Sequence, residues 1–242
     1  SLRGHPEQLI VVLQSPCPEF SLSQHVLSSM DGENLSPFLL PAAGGVYNWY
    51  MANHRPRVLV LYDFPLHGGG SGAYVKYLSL RLREAYNYDL AIAAPDDEVV
   101  DEIPHFNLHL PQIPVFLGRP GLEGAKKYSD LSVREINELY YSFLKGTIHA
   151  VESFKPDIIH AHHIMINSWA ARFARSIYGT KIILTSHGSC MQAISRDRRY
   201  FRLTRDALRA ANAITVVSGD SRAKFLRMFG SDLSSKTRTI PG

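Results

Sequence analysis

From Arg57 onward the chain alternates short apolar runs with longer amphipathic stretches. Val58-Leu59-Val60-Leu61-Tyr62 is apolar throughout, the pattern of a strand covered on both faces; a strand with one wet face would alternate. Tyr74, Leu78, Leu82 and Ala85 recur at three- and four-residue intervals, which predicts a helix. Asp89-Leu90-Ala91-Ile92-Ala93-Ala94 reads as the next strand, ended by Pro95, with weaker strands at 106–110 and 115–117 between prolines. A long helix is predicted over 132–154: Ser132 caps it, Glu135 completes a capping box, and Pro156 follows its end. The beat then becomes regular. Strands at 157–161, 181–185 and 213–217 alternate with helices at 166–178 and 196–211, and Ser218 caps a last helix running to about 229. Strands alternating with helices of this length imply right-handed crossovers and a parallel sheet. The expected fold class is α/β, a doubly wound, mostly parallel sheet with 58–62, 157–161, 181–185 and 213–217 as neighbouring central strands.

Residues 1–56 differ in character. One apolar stretch, Leu9-Ile10-Val11-Val12-Leu13, is followed by scattered Pro, Gly and Ser that break any long helix. The expected division is an N-terminal extension over 1–56, packed on or wrapping the domain and of no assigned role, and an α/β domain over 57–242. Apolar content of 45%, charged content of 20% and a formal net charge of +4 are ordinary for a globular protein and exclude a disordered or nucleic-acid-coating chain. Cys17 and Cys190 lie far apart and fit no CxxC pattern, which argues against a disulfide framework and for a reducing compartment. No apolar run approaches the roughly 18 residues of a membrane span, and Ser1-Leu2-Arg3-Gly4-His5 has no signal-peptide pattern. A cytoplasmic location is expected, with contact at the inner face of a membrane as a second expectation.

Sites in doubly wound sheets lie beyond the carboxyl ends of the strands. The loop after the first strand, Asp63-Phe64-Pro65-Leu66-His67-Gly68-Gly69-Gly70-Ser71-Gly72-Ala73, brings glycines to a helix N-terminus, where backbone N–H groups and the helix dipole suit an anion. Gly68-x-Gly70-x-x-Ala73 meets a loose dinucleotide fingerprint. The glycines come too late after the strand, however, and no acidic residue ends the second strand. A plain flexible turn is the competing reading. At the 157–161 strand end, His160-Ala161-His162-His163 places three histidines in four residues. No carboxylate or cysteine follows at metal-ligand spacing, which leaves strand-end packing and hydrogen bonding in a cleft as the two readings. In Thr185-Ser186-His187-Gly188-Ser189-Cys190, His187 follows a buried strand and precedes a glycine. It is either a satisfied structural histidine or a hydrogen-bonding group for hydroxyl-rich ligands.

The order of these elements is more specific than any one of them. Gly69-Gly70 leading into an apolar helix, Lys155-Pro156-Asp157-Ile158-Ile159-His160-Ala161-His162, Thr185-Ser186-His187-Gly188, Ala211-Asn212-Ala213-Ile214-Thr215-Val216-Val217-Ser218 and Lys236-Thr237-Arg238-Thr239-Ile240-Pro241-Gly242 follow one another along the chain. The sequence resembles the N-terminal half of the retaining GT-B glycosyltransferases of the "group 1" family, GT4, from about Arg57 to Gly242. The resemblance implies a Rossmann-like, acceptor-side domain, with the second Rossmann-like domain beginning where this chain stops. It implies transfer of a sugar from a nucleotide-sugar, UDP-, GDP- or ADP-linked, to a sugar, polysaccharide or lipid-linked acceptor with retention, and with no cofactor, metal or nucleic acid. By the same resemblance Gly69, Gly70 and Ser71 approach the donor diphosphate, His187 is the catalytic group, and His162, Ser186 and Gly188 line the cleft. A fragment lacking the donor domain is expected to be inactive alone. The sequence departs from the family pattern at Gly72, where an acidic residue is usual, at Asn212, where Asp is common, and in the linker, which lacks an Asn.

Two other classes stay open on the residues: a nucleotide-binding Rossmann module without chemistry, and a sugar-nucleotide epimerase of GT-B architecture. Separately, Arg198, Arg202, Arg205 and Arg209 fall at helical spacing, giving either a solvated face or a face for anionic lipid.

Overall fold

The computed structural model describes residues 55–67, 69–97, 100–111 and 126–241. The predicted strands at 9–13 and 115–117, Cys17, Gly68 and Gly242 lie outside them.

Among the described residues the chain forms a seven-stranded, all-parallel sheet. The strands are β1 (Arg57–Leu61), β2 (Asp89–Ala94), β3 (His105–Asn107), β4 (Ile158–His162), β5 (Lys181–Ser186), β6 (Ala213–Val216) and β7 (Thr237–Thr239), in the order β3-β2-β1-β4-β5-β6-β7. The four expected central strands are neighbours and parallel. Helices α1 (Gly70–Tyr86), α2 (Val133–Phe154), α3 (Ile166–Tyr178), α4 (Ser189–Arg196), α5 (Phe201–Ala210) and α6 (Gly219–Phe229) connect them.

Side chains of a strand alternate between faces, and here both faces are apolar. Leu59, Leu61, Ile159, Ala161, Ile182 and Leu184 belong to one core cluster with Leu139, Phe143, Trp169 and Leu208 of α2, α3 and α5. Val58, Val60, Ile158 and Ile183 belong to another with Val75, Leu78 and Leu82 of α1. Ala85, expected on the buried stripe of α1, is exposed, and Val75 takes part instead. At α2 the Ser132 side chain accepts from the Glu135 amide at 3.2 Å, and the Glu135 carboxylate accepts from the Ser132 amide at 2.8 Å. The predicted capping box is present.

Two predicted elements differ. The strand expected at 106–110 is the shorter β3. The helix expected over 196–211 is broken at Asp197, whose backbone is extended (φ −134°, ψ 105°). Its carboxylate accepts from the Arg199 amide at 3.0 Å and pairs with the Arg199 guanidinium at 2.6 Å. A 3-10 turn over Arg198–Tyr200 then leads into α5.

The chain runs outward from β1 through β2 to β3, then returns to lay β4 on the other side of β1. That reversal opens a crevice above the carboxyl ends of β1 and β4, the place where ligands bind in such sheets.

Candidate functional site

Beyond β1 the chain is pinned before it enters α1. The Leu66 amide donates to Asp96 Oδ2 at 2.7 Å, and the buried Tyr62 hydroxyl lies 2.7 Å from Ser71 Oγ. A Cβ on Gly72 would overlap the Leu66 carbonyl oxygen. A larger side chain at this position therefore has no room in this loop. Gly69 and Gly70 have nothing within 4 Å of a built Cβ. They sit at the mouth of α1, whose first-turn amides lack intrahelical acceptors. The helix therefore presents open backbone donors and its positive end.

Four imidazoles gather at the ends of β4 and β5. His160, His162 and His163 are buried, and His187 is only partly so. His160 Nε2 lies 2.7 Å from Thr185 Oγ1, which lies 2.6 Å from Thr215 Oγ1, a polar ladder across β4, β5 and β6. His162 Nδ1 meets His187 Nε2 at 3.1 Å, and Tyr74 of α1 stands edge-on to both rings. His163 takes a left-handed backbone (φ 64°) and packs on His187, ring centres 4.7 Å apart. Burial holds every one of these rings neutral near pH 7. His187 is pushed down to about 4, His160 to about 3, and His162 and His163 well below their ordinary range; neighbouring imidazoles add to the effect for the three buried rings. Among the described residues no group of three or more His, Cys, Asp or Glu is placed to hold a metal ion.

Gly188 carries the turn into α4 with φ +96°, a backbone setting that favours glycine. His187 and Gly188 line an open groove of about 800 Å³ with Arg198, Lys224 and Arg227. A second cavity, of about 320 Å³, lies between Asp63 and Phe64 after β1, Lys127 and Tyr128 before α2, and Cys190 and Arg196 of α4.

The remaining expected site residues fall as follows. Ser186, expected to line the cleft, is fully buried, with its hydroxyl 3.4 Å from Cys190 Sγ. His162 does not line it directly but stands behind His187. Of the arginine stripe, Arg202, Arg205 and Arg209 lie along α5, with Arg202 and Arg209 exposed. Arg198 lies in the 3-10 turn with its guanidinium 4.0 Å over Phe201, Arg205 donates to the Phe229 carbonyl at 3.0 Å, and Arg209 lies 3.6 Å from Asp232. Asn212, in place of the common Asp, works as the carboxylate oxygen would. Its Oδ1 accepts from the Ile182 amide at 3.0 Å and from Arg175.

A parallel sheet with this strand order, a glycine-opened helix N-terminus and a histidine at the next strand end define a Rossmann-like half of the GT-B type. The profile of Glycosyltransferase Family 4 matches residues 68–242, and the chain belongs to that family. Solved structures agree on the fold. Sucrose-phosphate synthase from Thermosynechococcus elongatus matches with a TM-score of 0.56 and 17% identity, over 77% of this chain and 48% of that one. The catalytic domain of starch synthase IV from Arabidopsis thaliana, bound to ADP and acarbose, matches with 0.55 and 15%, over 78% and 52%. A UDP-N-acetylglucosamine 2-epimerase matches with 0.51 and 11%, over 77% and 48%. The chain thus spans about half the length of the solved structures it matches. No curated protein matches it by sequence. Among the described residues no helix is long and apolar enough to cross a membrane.

Proposed function

We propose that this chain is the acceptor-side half of a transferase that moves a sugar from a nucleotide-sugar to an acceptor hydroxyl with retention of configuration. The observation that carries the reading is the meeting of two features: the N-terminus of α1, uncrowded at Gly69 and Gly70, and His187 at the end of β5, in ring contact with Tyr74 of the same helix. The charge that develops on a departing diphosphate is stabilised by fixed N–H donors aimed at it. A neutral imidazole beside them donates or accepts a hydrogen bond at the transferred sugar without adding a competing charge. Gly188 keeps the backbone beside His187 free of a side chain.

The donor half of the contacts belongs to a second domain, so this chain alone transfers no sugar and binds nucleotide-sugars weakly. Calorimetric titration of the chain with UDP-, GDP- and ADP-sugars tests this, and sub-micromolar binding would contradict it. In a protein carrying both domains, release of free nucleotide together with an NMR assignment of the new anomeric bond tests transfer and retention. Inversion at that carbon, or no nucleotide release with any donor and acceptor offered, would overturn the reading.

A further inference from the structure

The cavity of about 320 Å³ holds an unusual floor. Asp63 is 2% exposed, lines the cavity, and its Oδ1 has no hydrogen-bond partner. A buried carboxyl oxygen without a partner is costly to keep and marks a place where a ligand group completes the bonding. Burial also pushes the pKa of this carboxyl above its ordinary range, which favours the neutral form that can donate as well as accept. Tyr128 lines the same cavity as Asp63. The walls are mixed: Phe64, Tyr128 and Met165 offer apolar and ring surface. Two cations, Lys127 before α2 and Arg196 at the end of α4, reach the cavity from different elements, and both are exposed. The carboxylates nearest to them in sequence are engaged elsewhere: Asp130 bonds the Lys127 amide and Ser129, and Asp197 binds Arg199. Ser71 of the α1 mouth lines the same cavity, so a molecule seated in it lies beside the glycine loop.

We infer that this cavity is the acceptor subsite and that it takes a hydroxylated ring bearing one anionic group, a phosphate or a carboxylate. The ring hydroxyls meet Asp63, the C–H face of the ring lies against Phe64 and Tyr128, and the anion lies between Lys127 and Arg196. Apolar walls with a few convergent polar groups suit such a ligand, and a compact phosphate or carboxylate is what a Lys and an Arg on two walls hold best. The identification of the ligand as an acceptor rests on the transferase reading; the cavity's chemical preference does not.

The test is binding to this chain without any donor, which separates it from a test of transfer. The probes are glucose 6-phosphate, glucose 1-phosphate, glucuronate, glucose and inorganic phosphate, titrated by calorimetry or followed by NMR. At least one anionic sugar should bind tenfold or more tighter than both glucose and inorganic phosphate. Lys127→Ala and Arg196→Ala should each remove most of that preference, with Arg196→Lys restoring part of it. Asp63→Ala should weaken glucose and the anionic sugar alike, whereas Asp63→Asn, which keeps a donor and an acceptor, should stay within a few-fold of the parent. Melting curves of all variants check that the fold is kept. Equal binding of glucose and the anionic sugars, phosphate binding as tight as either, no binding by any sugar of the panel, or cation variants that leave the preference intact would each overturn the inference. A transferase that works on neutral acceptors alone would sink this subsite while leaving the proposed function standing.

Discussion

His162 Nδ1 lies 3.1 Å from His187 Nε2, and with both rings held neutral a single proton is shared across that contact. His162 is buried and its Nε2 has no partner, so it has no other hydrogen bond to set its ring. When His162 Nδ1 carries the proton, His187 Nε2 accepts it and the Nδ1–H of His187 is left as a donor for a ligand oxygen. In that tautomer His162 sets the ring of His187, an arrangement the sequence motif alone does not distinguish from lining the cleft.

In a protein carrying both domains, His187→Ala should lower turnover by about a hundredfold, the scale for losing one transition-state hydrogen bond. His162→Ala should cost less in rate and more in melting temperature, since it empties a buried site. The check is initial rate at saturating donor set beside thermal melting. A His187→Ala protein that melts several degrees lower yet keeps near-normal turnover would make His187 structural.

Acid should weaken this fold earlier than most. The four imidazoles have folded pKa values below the ordinary 6.5, so the unfolded chain takes up protons that the folded chain refuses. Their contribution is fully present above pH 6.5 and is lost as pH falls from there toward about 4 for His187 and about 3 for His160. Each group contributes up to about 1.4 kcal/mol per pH unit in that window. Denaturant titrations at about pH 7.5, 6.5, 5.5 and 4.8 should show stability flat at first and then falling with an uptake of more than one proton. Constant stability from about pH 7 to 5 would mean that the rings are solvated.

The sheet was legible because β1, β2, β4, β5 and β6 are each buried on both faces and carry mostly apolar residues between helical stretches. Helix α4 was not legible. It spans only Ser189–Arg196, opens on glycine and serine, and carries Cys190, Met191 and Ile194 as its buried residues, too short a stripe to show a period. The place of His187 was legible because it follows the apolar run of β5 and precedes a glycine that turns the chain. The burial of Ser186 was not legible because neighbouring strand residues point to opposite faces: Thr185 turns to His160, and Ser186 turns the other way, to Cys190. The cavity was invisible, since Asp63, Lys127 and Arg196 lie far apart along the chain and no spacing rule joins them.

Gly72 should be the least replaceable glycine of the α1 turn. An added Cβ would overlap the Leu66 carbonyl, and Leu66 cannot easily yield: its side chain is buried and its amide is held by Asp96. Gly72→Ala should cost about 1–3 kcal/mol, as overpacking does. Gly70→Ala, with nothing within 4 Å, should leave stability unchanged or raise it by up to about 1 kcal/mol through helix propensity. Urea denaturation of the pair decides it, and equal effects at both positions would show that the loop is looser than described.

Asp63→Asn should stabilise the chain, and increasingly so as pH rises. Burial lifts the folded pKa of Asp63 well above its ordinary 3.8. At pH values above 3.8 the unfolded chain releases this proton and the folded chain keeps it, so the wild-type residue loses stability as pH climbs toward the folded pKa. An amide does not titrate. Any cost of the amide in the same place is independent of pH, and the histidines cancel in the comparison because both proteins carry them. The stability of the Asp63→Asn variant minus that of the wild type should therefore grow from about pH 4.5 upward by as much as about 1.4 kcal/mol per pH unit. Growth should stop where the folded carboxyl ionises, and the break locates that pKa. Denaturant midpoints for the two proteins at half-unit steps from about pH 4.5 to 8 measure it. A difference that stays constant across the range would mean that Asp63 is ionised in the folded chain, with a cation or water satisfying its free oxygen.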